Sequence, residues 1–129
     1  ERPLPTRLSM VVLDENGRNV ITLATNSAYK AYIQFYYQQE HRLNYRWELM
    51  EEVDRASESD GGDLEVPPAI LWTREFDNVN ELIFYAPKPG EYRLFIYVED
   101  PFNGASTANL PLLVVANGTL ANQTTKLMR

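Results

Sequence analysis

The sequence predicts an all-β protein, an antiparallel β-sandwich of about seven strands. Apolar residues alternate with polar ones at a period of two, as half-buried strands require. The alternating stretches are rich in aromatic and β-branched residues, and Pro- and Gly-containing turns separate them. With 129 residues, 44% apolar and 23% charged, the chain has the size and composition of one globular domain.

Three stretches alternate most regularly, residues 29–37, 43–50 and 92–99. Each places bulky apolar side chains on one face and polar or aromatic side chains on the other. We expect the first face of each to be buried. The expected buried residues are Tyr29, Ala31, Ile33, Phe35, Tyr37, Leu43, Tyr45, Trp47, Leu49, Tyr92, Leu94, Ile96 and Val98.

Shorter strands are expected on either side of these three. Residues 8–13 and 20–23 flank a turn at 14–17 that has the composition of a hairpin turn. A further strand is expected at 81–85. The last, at 108–116, contains Pro111, which favours a sheet edge or a bulge. Residues 70–76 break the alternation and are interpreted as a connection between strands.

The chain divides into a linker end at residues 1–5, the sandwich at 6–116 and a polar tail at 117–129. Because it opens on Glu1 without a signal peptide, we expect a mature segment or an excised domain. Residues 51–68 form an acidic loop whose oxygens suit calcium in number. Their spacing matches no EF-hand, so a solvated loop is the default and no metal site is predicted. These acidic residues are Asp54, Glu58, Asp60, Asp63 and Glu65.

Composition excludes several classes of function. A net charge of -6 argues against nucleic acids and anionic membranes as partners. The chain has no cysteine and one histidine, His41, which removes disulfides, thiolate chemistry and any site that needs two imidazoles. The apolar run at 110–116 is far too short to cross a membrane. Neither a phosphate-binding loop nor a serine elbow is present, so we predict no cofactor and no enzyme activity.

The chain resembles a known kind of module. The resemblance rests on residues 43–49, 61–63, 86–100 and 107–111, including the corner formed by Pro89, Gly90 and Tyr92. These stretches are similar to PKD-like, immunoglobulin-type domains on the C-terminal side of bacterial family 2-type glycoside hydrolases, and to modules of secreted polysaccharide-binding proteins. Residues 38–41 depart from the pattern, because such modules often have an Asp-rich turn there. The resemblance implies an immunoglobulin-like accessory domain without catalytic function, in a secreted, periplasmic or cell-surface bacterial system.

Candidate binding residues are aromatic, because sugar rings stack on exposed aromatic planes. Trp72 comes first, since a large aromatic in a connection either packs or binds. Two outward pairs follow, with nearby polar side chains that could bond sugar hydroxyls. The pairs are Tyr32 with Tyr36 and Phe95 with Tyr97; the polar residues are Arg46, Gln34 and Arg93. Each pair could equally be a structural cross-strand contact.

Two other aromatic residues are interpreted as structural. Trp47 lies on the expected buried face of its strand. Tyr92 follows the Pro-Gly corner, where a tyrosine hydroxyl commonly bonds to nearby backbone.

We therefore expect a carbohydrate-binding module for a neutral polysaccharide such as a β-glucan, joined to a catalytic or anchoring domain. Two alternatives stay open. In one, the domain is a structural spacer or docking module whose outward aromatics pack against a neighbouring domain. In the other, it recognises a protein partner, because fold does not determine function.

Overall fold

The computed structural model describes residues 8–34, 42–52 and 69–118. These residues form eight β-strands. They are β1 (Ser9–Leu13), β2 (Thr22–Ala24), β3 (Ala28–Gln34), β4 (Asn44–Glu51), β5 (Ile70–Asp77), β6 (Glu81–Tyr85), β7 (Gly90–Glu99) and β8 (Ala105–Val115).

The strands form two sheets. The first has three strands in the order β1-β3-β6, and the second has five in the order β2-β8-β7-β4-β5. All neighbouring strands are antiparallel except β2 and β8, which run parallel. The predicted all-β class is confirmed, with one strand more than expected, and the two sheets form a sandwich-like arrangement.

One hydrophobic core lies between the sheets. The five-stranded sheet contributes Trp47, which is fully buried, with Leu94 and Ile96 from the adjacent strand. The three-stranded sheet contributes Tyr29 and Phe84, whose ring centres lie 6.1 Å apart. The predicted buried faces of 43–50 and 92–99 are confirmed, as are those of residues 29, 31 and 33.

The corner between β6 and β7 is fixed by a buried tyrosine. The Tyr92 hydroxyl donates a hydrogen bond to the Lys88 carbonyl at 2.7 Å, and only 2% of the residue is exposed. This confirms the structural interpretation of Tyr92. The bond ties the turn to the first residues of β7, the strand that carries much of the outward surface described below.

The prediction that residues 70–76 form a connection was wrong. These residues belong to β5, which pairs with β4 along its length apart from an irregularity at Leu49 and Met50. Trp72 consequently lies in a strand. The alternation of apolar and polar residues is hard to see in the sequence because Arg74 lies on the same inner face as Trp72 and Phe76. The Arg74 side chain extends to solvent at the edge of the sheet.

The turn at 14–17 forms, but the expected hairpin does not. The Asp14 side chain accepts hydrogen bonds from the backbone N–H of Asn16 and Arg18, and Gly17 has a φ of 78°. After one isolated bridge between Leu13 and Asn19, the chain crosses to the other sheet. There β2 pairs with β8, because Leu23 fills the shared core from that side.

Pro111 lies in β8 at a point where the missing N–H costs no hydrogen bond. It faces Arg93 of β7 on one side, while β2 begins pairing only at Leu113. The Leu113 N–H donates to the Ile21 carbonyl, and N–H groups two residues apart point to the same side of a strand. The Pro111 nitrogen therefore faces the side of β8 on which no strand is paired at this position. This agrees with the expectation that Pro111 lies at a sheet edge.

Several predictions fall outside the described residues. They concern the linker end at 1–5, the end of the strand predicted at 29–37, most of the acidic loop at 51–68, and most of the tail at 117–129. In the part of the chain that is described, no helix is long and apolar enough to cross a membrane.

Replacing Tyr92 with Phe is expected to lower the free energy of unfolding by about 1 kcal/mol, because the Lys88 carbonyl loses the hydroxyl that donates to it. Tyr85→Phe is the matched control, since Tyr85 is 68% exposed and the change should stay within about 0.5 kcal/mol. Urea unfolding measures both. Equal midpoints for Tyr92→Phe and the wild type would contradict a stabilising corner.

Candidate functional site

The predicted site residues are divided among different surfaces. Phe95, Tyr97, Arg46 and Arg93 lie together on the outward face of the five-stranded sheet. Tyr32 and Gln34 lie on the outward face of the three-stranded sheet, and Trp72 lies at the edge formed by β5. Tyr36 falls outside the described residues.

The largest group forms a surface that we call the aromatic platform. It consists of Phe95 and Tyr97, their cross-strand neighbours Arg46, Glu48 and Asn109, and Arg93 on the same strand as the two rings. The two rings are nearly parallel, at 9°, with centres 6.3 Å apart. That separation is close to the spacing of about 6.8 Å between alternate residues of a strand. Both rings are half-buried, so the sheet itself holds them side by side.

Arg46 covers one part of the platform. Its guanidinium carbon lies 4.5 Å from the centre of the Tyr97 ring, within the range of a cation–π contact. Its Nε is 3.8 Å from a Glu48 oxygen, and its Nη1 is 3.7 Å from a Glu99 oxygen. These distances give electrostatic attraction but exceed hydrogen-bond length. Among the described residues, the buried Nε–H has no hydrogen-bond acceptor.

Arg93 is held differently. Its Nε donates to the Glu52 carboxylate, and its Nη1 donates to Asn109 Oδ1 at 2.6 Å. Two short hydrogen bonds from one guanidinium fix the side chain to β8 and to Glu52, the residue that follows β4. Arg93 therefore serves as a structural tie at one end of the platform, whereas Arg46 retains unused donors at the other.

Tyr97 is kept in its neutral form. Burial raises the pKa of its phenol above the usual 10.0, and the negative charge of Glu48 raises it further, while Arg46 acts in the opposite direction. A hydrogen bond with the Glu48 side chain also favours the protonated phenol. The Arg46 guanidinium lies over the face of the same ring.

Two shallow depressions flank the platform. One, of about 350 Å³, is lined by Arg46, Tyr97 and Glu99 of β4 and β7 and by Thr107 of β8. The other, of about 500 Å³, lies toward β2. Its lining residues are Ile21, Thr22, Glu52, Glu91, Tyr92, Arg93, Pro111, Leu112 and Leu113. The outward surface therefore has a central aromatic pair with concave ends.

Trp72 is engaged in packing. Its ring centre lies 6.0 Å from that of Phe84, and the Arg74 guanidinium carbon lies 4.6 Å from the indole centre. Arg74 also donates a hydrogen bond from Nη1 to the Ile83 carbonyl at 3.1 Å. Trp72 and Arg74 together join the edge of one sheet to the edge of the other. A ligand role for Trp72 stays a prediction.

The outward face of the three-stranded sheet is more apolar than expected. Gln34 and Tyr32 contact each other through their side chains, at 3.5 Å. On the neighbouring strand β6, opposite Lys30 and Ala28, Ile83 and Tyr85 are 65% and 68% exposed. The sequence did contain a signal for these two residues, because their neighbours Leu82 and Phe84 fill the alternate, buried positions.

Comparison with known proteins does not identify the chain. No protein-family model matches it, and no curated protein is significantly similar to it. In residues 8–34, 42–52 and 69–118, no group of three or more acidic or histidine side chains could hold a metal ion. The acidic side chains considered for calcium lie outside these ranges.

Tyr97 should make stability depend on pH in the alkaline range. A phenol with a raised pKa in the folded state stabilises that state fully below pH 10.0 and loses this contribution as the pH rises through the folded pKa. The urea midpoint of the wild type should therefore fall relative to that of Tyr97→Phe as the pH rises from about 10 to about 11.5. A difference that stays constant over that range would contradict the raised pKa.

Proposed function

We propose that this domain is a noncatalytic carbohydrate-binding module that binds a neutral polysaccharide such as a β-glucan. The observation that carries the proposal is the aromatic platform, where Phe95 and Tyr97 lie side by side and half-buried. A ring fixed by the sheet offers an apolar surface to a sugar at little cost in side-chain entropy. The polar side chains around it supply donors and acceptors for hydroxyl groups.

The charges around the platform favour a neutral polymer. The carboxylates of Glu48, Glu91 and Glu99 face outward on this sheet together with the guanidiniums of Arg46 and Arg93. Each guanidinium already lies beside a carboxylate. A sulfated or uronic polymer would meet net negative charge here and on the whole chain, which carries -6.

The proposed mechanism is tethering. A module that holds the polymer raises the effective concentration of substrate at a linked catalytic domain, without chemistry of its own. We place it in a secreted, periplasmic or cell-surface system of a bacterium, on the basis of the sequence resemblance. On the platform, Glu48 and Glu99 share one guanidinium on a shallow surface, an arrangement that suits binding better than hydrolysis, which needs two carboxyl groups across a bound sugar.

We further propose that the sandwich is of the immunoglobulin-like, PKD-like type. Support comes from the division into three and five strands, from the parallel pairing of an early short strand with the last strand, and from the tyrosine at the β6–β7 corner.

A docking or spacer role is the second candidate, and a specific observation favours it. Ile83 and Tyr85 expose most of their apolar surface on the sheet opposite the platform. Ile21 and Leu113, 55% and 43% exposed, add a second apolar area beside β2. A neighbouring domain packed on either area would remove that surface from water.

Binding to a panel of soluble glucans, xylans and mannans tests the proposal. We expect one class to bind saturably in calorimetry, and Phe95→Ala or Tyr97→Ala to weaken that binding roughly tenfold, as loss of a stacking contact implies. Tyr85→Ala is the control, because Tyr85 is 68% exposed on the other sheet. A folded domain that binds nothing would favour docking, and binding lost in Trp72→Ala but kept in Tyr97→Ala would move the site to the β5 edge.

A further inference from the structure

The depression beside Arg46 has the properties of a specific subsite. It opens on the platform at the end nearer the β7–β8 turn, and Arg46, Tyr97, Glu99 and Thr107 line it. At about 350 Å³ it lies near the lower end of the size range of small-molecule sites. Three strands contribute its walls, so the lining side chains are positioned by the sheet.

Arg46 supplies donors that the protein leaves unused. Both carboxylates near it lie beyond hydrogen-bond distance, at 3.7 and 3.8 Å, and its buried Nε–H has no acceptor among the described residues. The Arg46 side chain is 36% exposed, so a ligand would accept hydrogen bonds from its outer N–H groups rather than from the buried Nε–H. Arg93, on the same sheet, uses its Nε–H and an Nη1–H in hydrogen bonds to Glu52 and Asn109. The difference marks Arg46 as the arginine that is prepared for a ligand.

Acceptors lie next to these donors. The Glu99 side chain is 49% exposed and accepts only a long contact from Arg46. The Thr107 hydroxyl donates to the Ile96 carbonyl at 2.9 Å, which orients its oxygen and leaves lone pairs that can accept. A ligand that suits this subsite therefore carries groups that both accept and donate over a short distance, as adjacent sugar hydroxyls do.

Charge decides between ligand classes. Glu48 and Glu99 both lie within 4 Å of the Arg46 guanidinium, so an incoming carboxylate would meet two negative charges and one positive charge. An uncharged ring with hydroxyl groups avoids this repulsion, and Tyr97 lines the depression beside Arg46.

We infer that this depression binds one neutral pyranose ring of the polysaccharide, with Arg46 donating to one hydroxyl and Glu99 accepting from its neighbour. This inference rests on the proposed carbohydrate-binding function and adds to it the residues that select for an uncharged sugar. Arg46 and Glu99 act as specificity-determining residues, while Phe95 and Tyr97 provide stacking along the chain.

The test compares variants on two probes, a soluble β-1,3-glucan such as laminarin and a polyuronate such as polygalacturonate. For a neutral glycan that binds the wild type, we expect Arg46→Met to weaken binding roughly tenfold and Glu99→Gln several-fold. Arg42→Met is the matched control, because Arg42 is 72% exposed and pairs with Asp77 away from the platform. Its affinity should equal that of the wild type.

The outcomes separate the two proposals. Binding that survives in Arg46→Met and Glu99→Gln but is lost in Tyr97→Ala would overturn the subsite and leave the carbohydrate-binding function standing. Tighter binding of the polyuronate than of any neutral glycan would also overturn it. If the wild type binds no glycan, both proposals fail. If circular dichroism shows that Arg46→Met does not fold, the glycan affinities of Arg46→Lys and of Glu99→Gln, at an exposed residue, test the subsite by the same criteria.

Discussion

The pairing of β4 with β7 is the constraint on which the rest of the structure depends. Trp47 faces Ile96 across this pair on the inner side, where both are fully buried. Because side chains alternate along a strand, the same register places Arg46 opposite Tyr97 on the outer side. A slip of one residue would expose Trp47 and bury Arg46. Burial of the core therefore fixes the geometry of the platform.

The sequence was sufficient to predict the strands in which apolar and polar residues alternate strictly. Residues 43–50 and 92–99 repeat apolar side chains at every second position, and their buried faces and the core position of Trp47 were predicted correctly. The hydroxyl bond of Tyr92 followed from its place after Pro89 and Gly90. These features depend on local pattern, which the sequence displays directly.

Other features depend on contacts between distant segments. The sequence predicts a connection around Trp72, because Arg74 interrupts the apolar face of β5. Only the approach of β6 explains Arg74, since its guanidinium reaches the Ile83 carbonyl. The grouping of Phe95 and Tyr97 with Arg46 was likewise visible only once the strand order was known, as were the contributions of Glu48, Asn109 and Thr107. Residue types suggested which side chains could bind, but register decided which ones lie together.

The proposed binding surface is the outward face of the five-stranded sheet, and chemical-shift mapping by NMR can locate it residue by residue. The ligand is an oligosaccharide fragment of a neutral glucan that the domain binds. Its addition should shift the backbone amide signals of Phe95, Tyr97, Arg46 and Thr107 and leave those of Tyr32, Ile83 and Tyr85 unchanged. Shifts concentrated on the three-stranded sheet, with the platform unaffected, would contradict a binding surface on the five-stranded sheet.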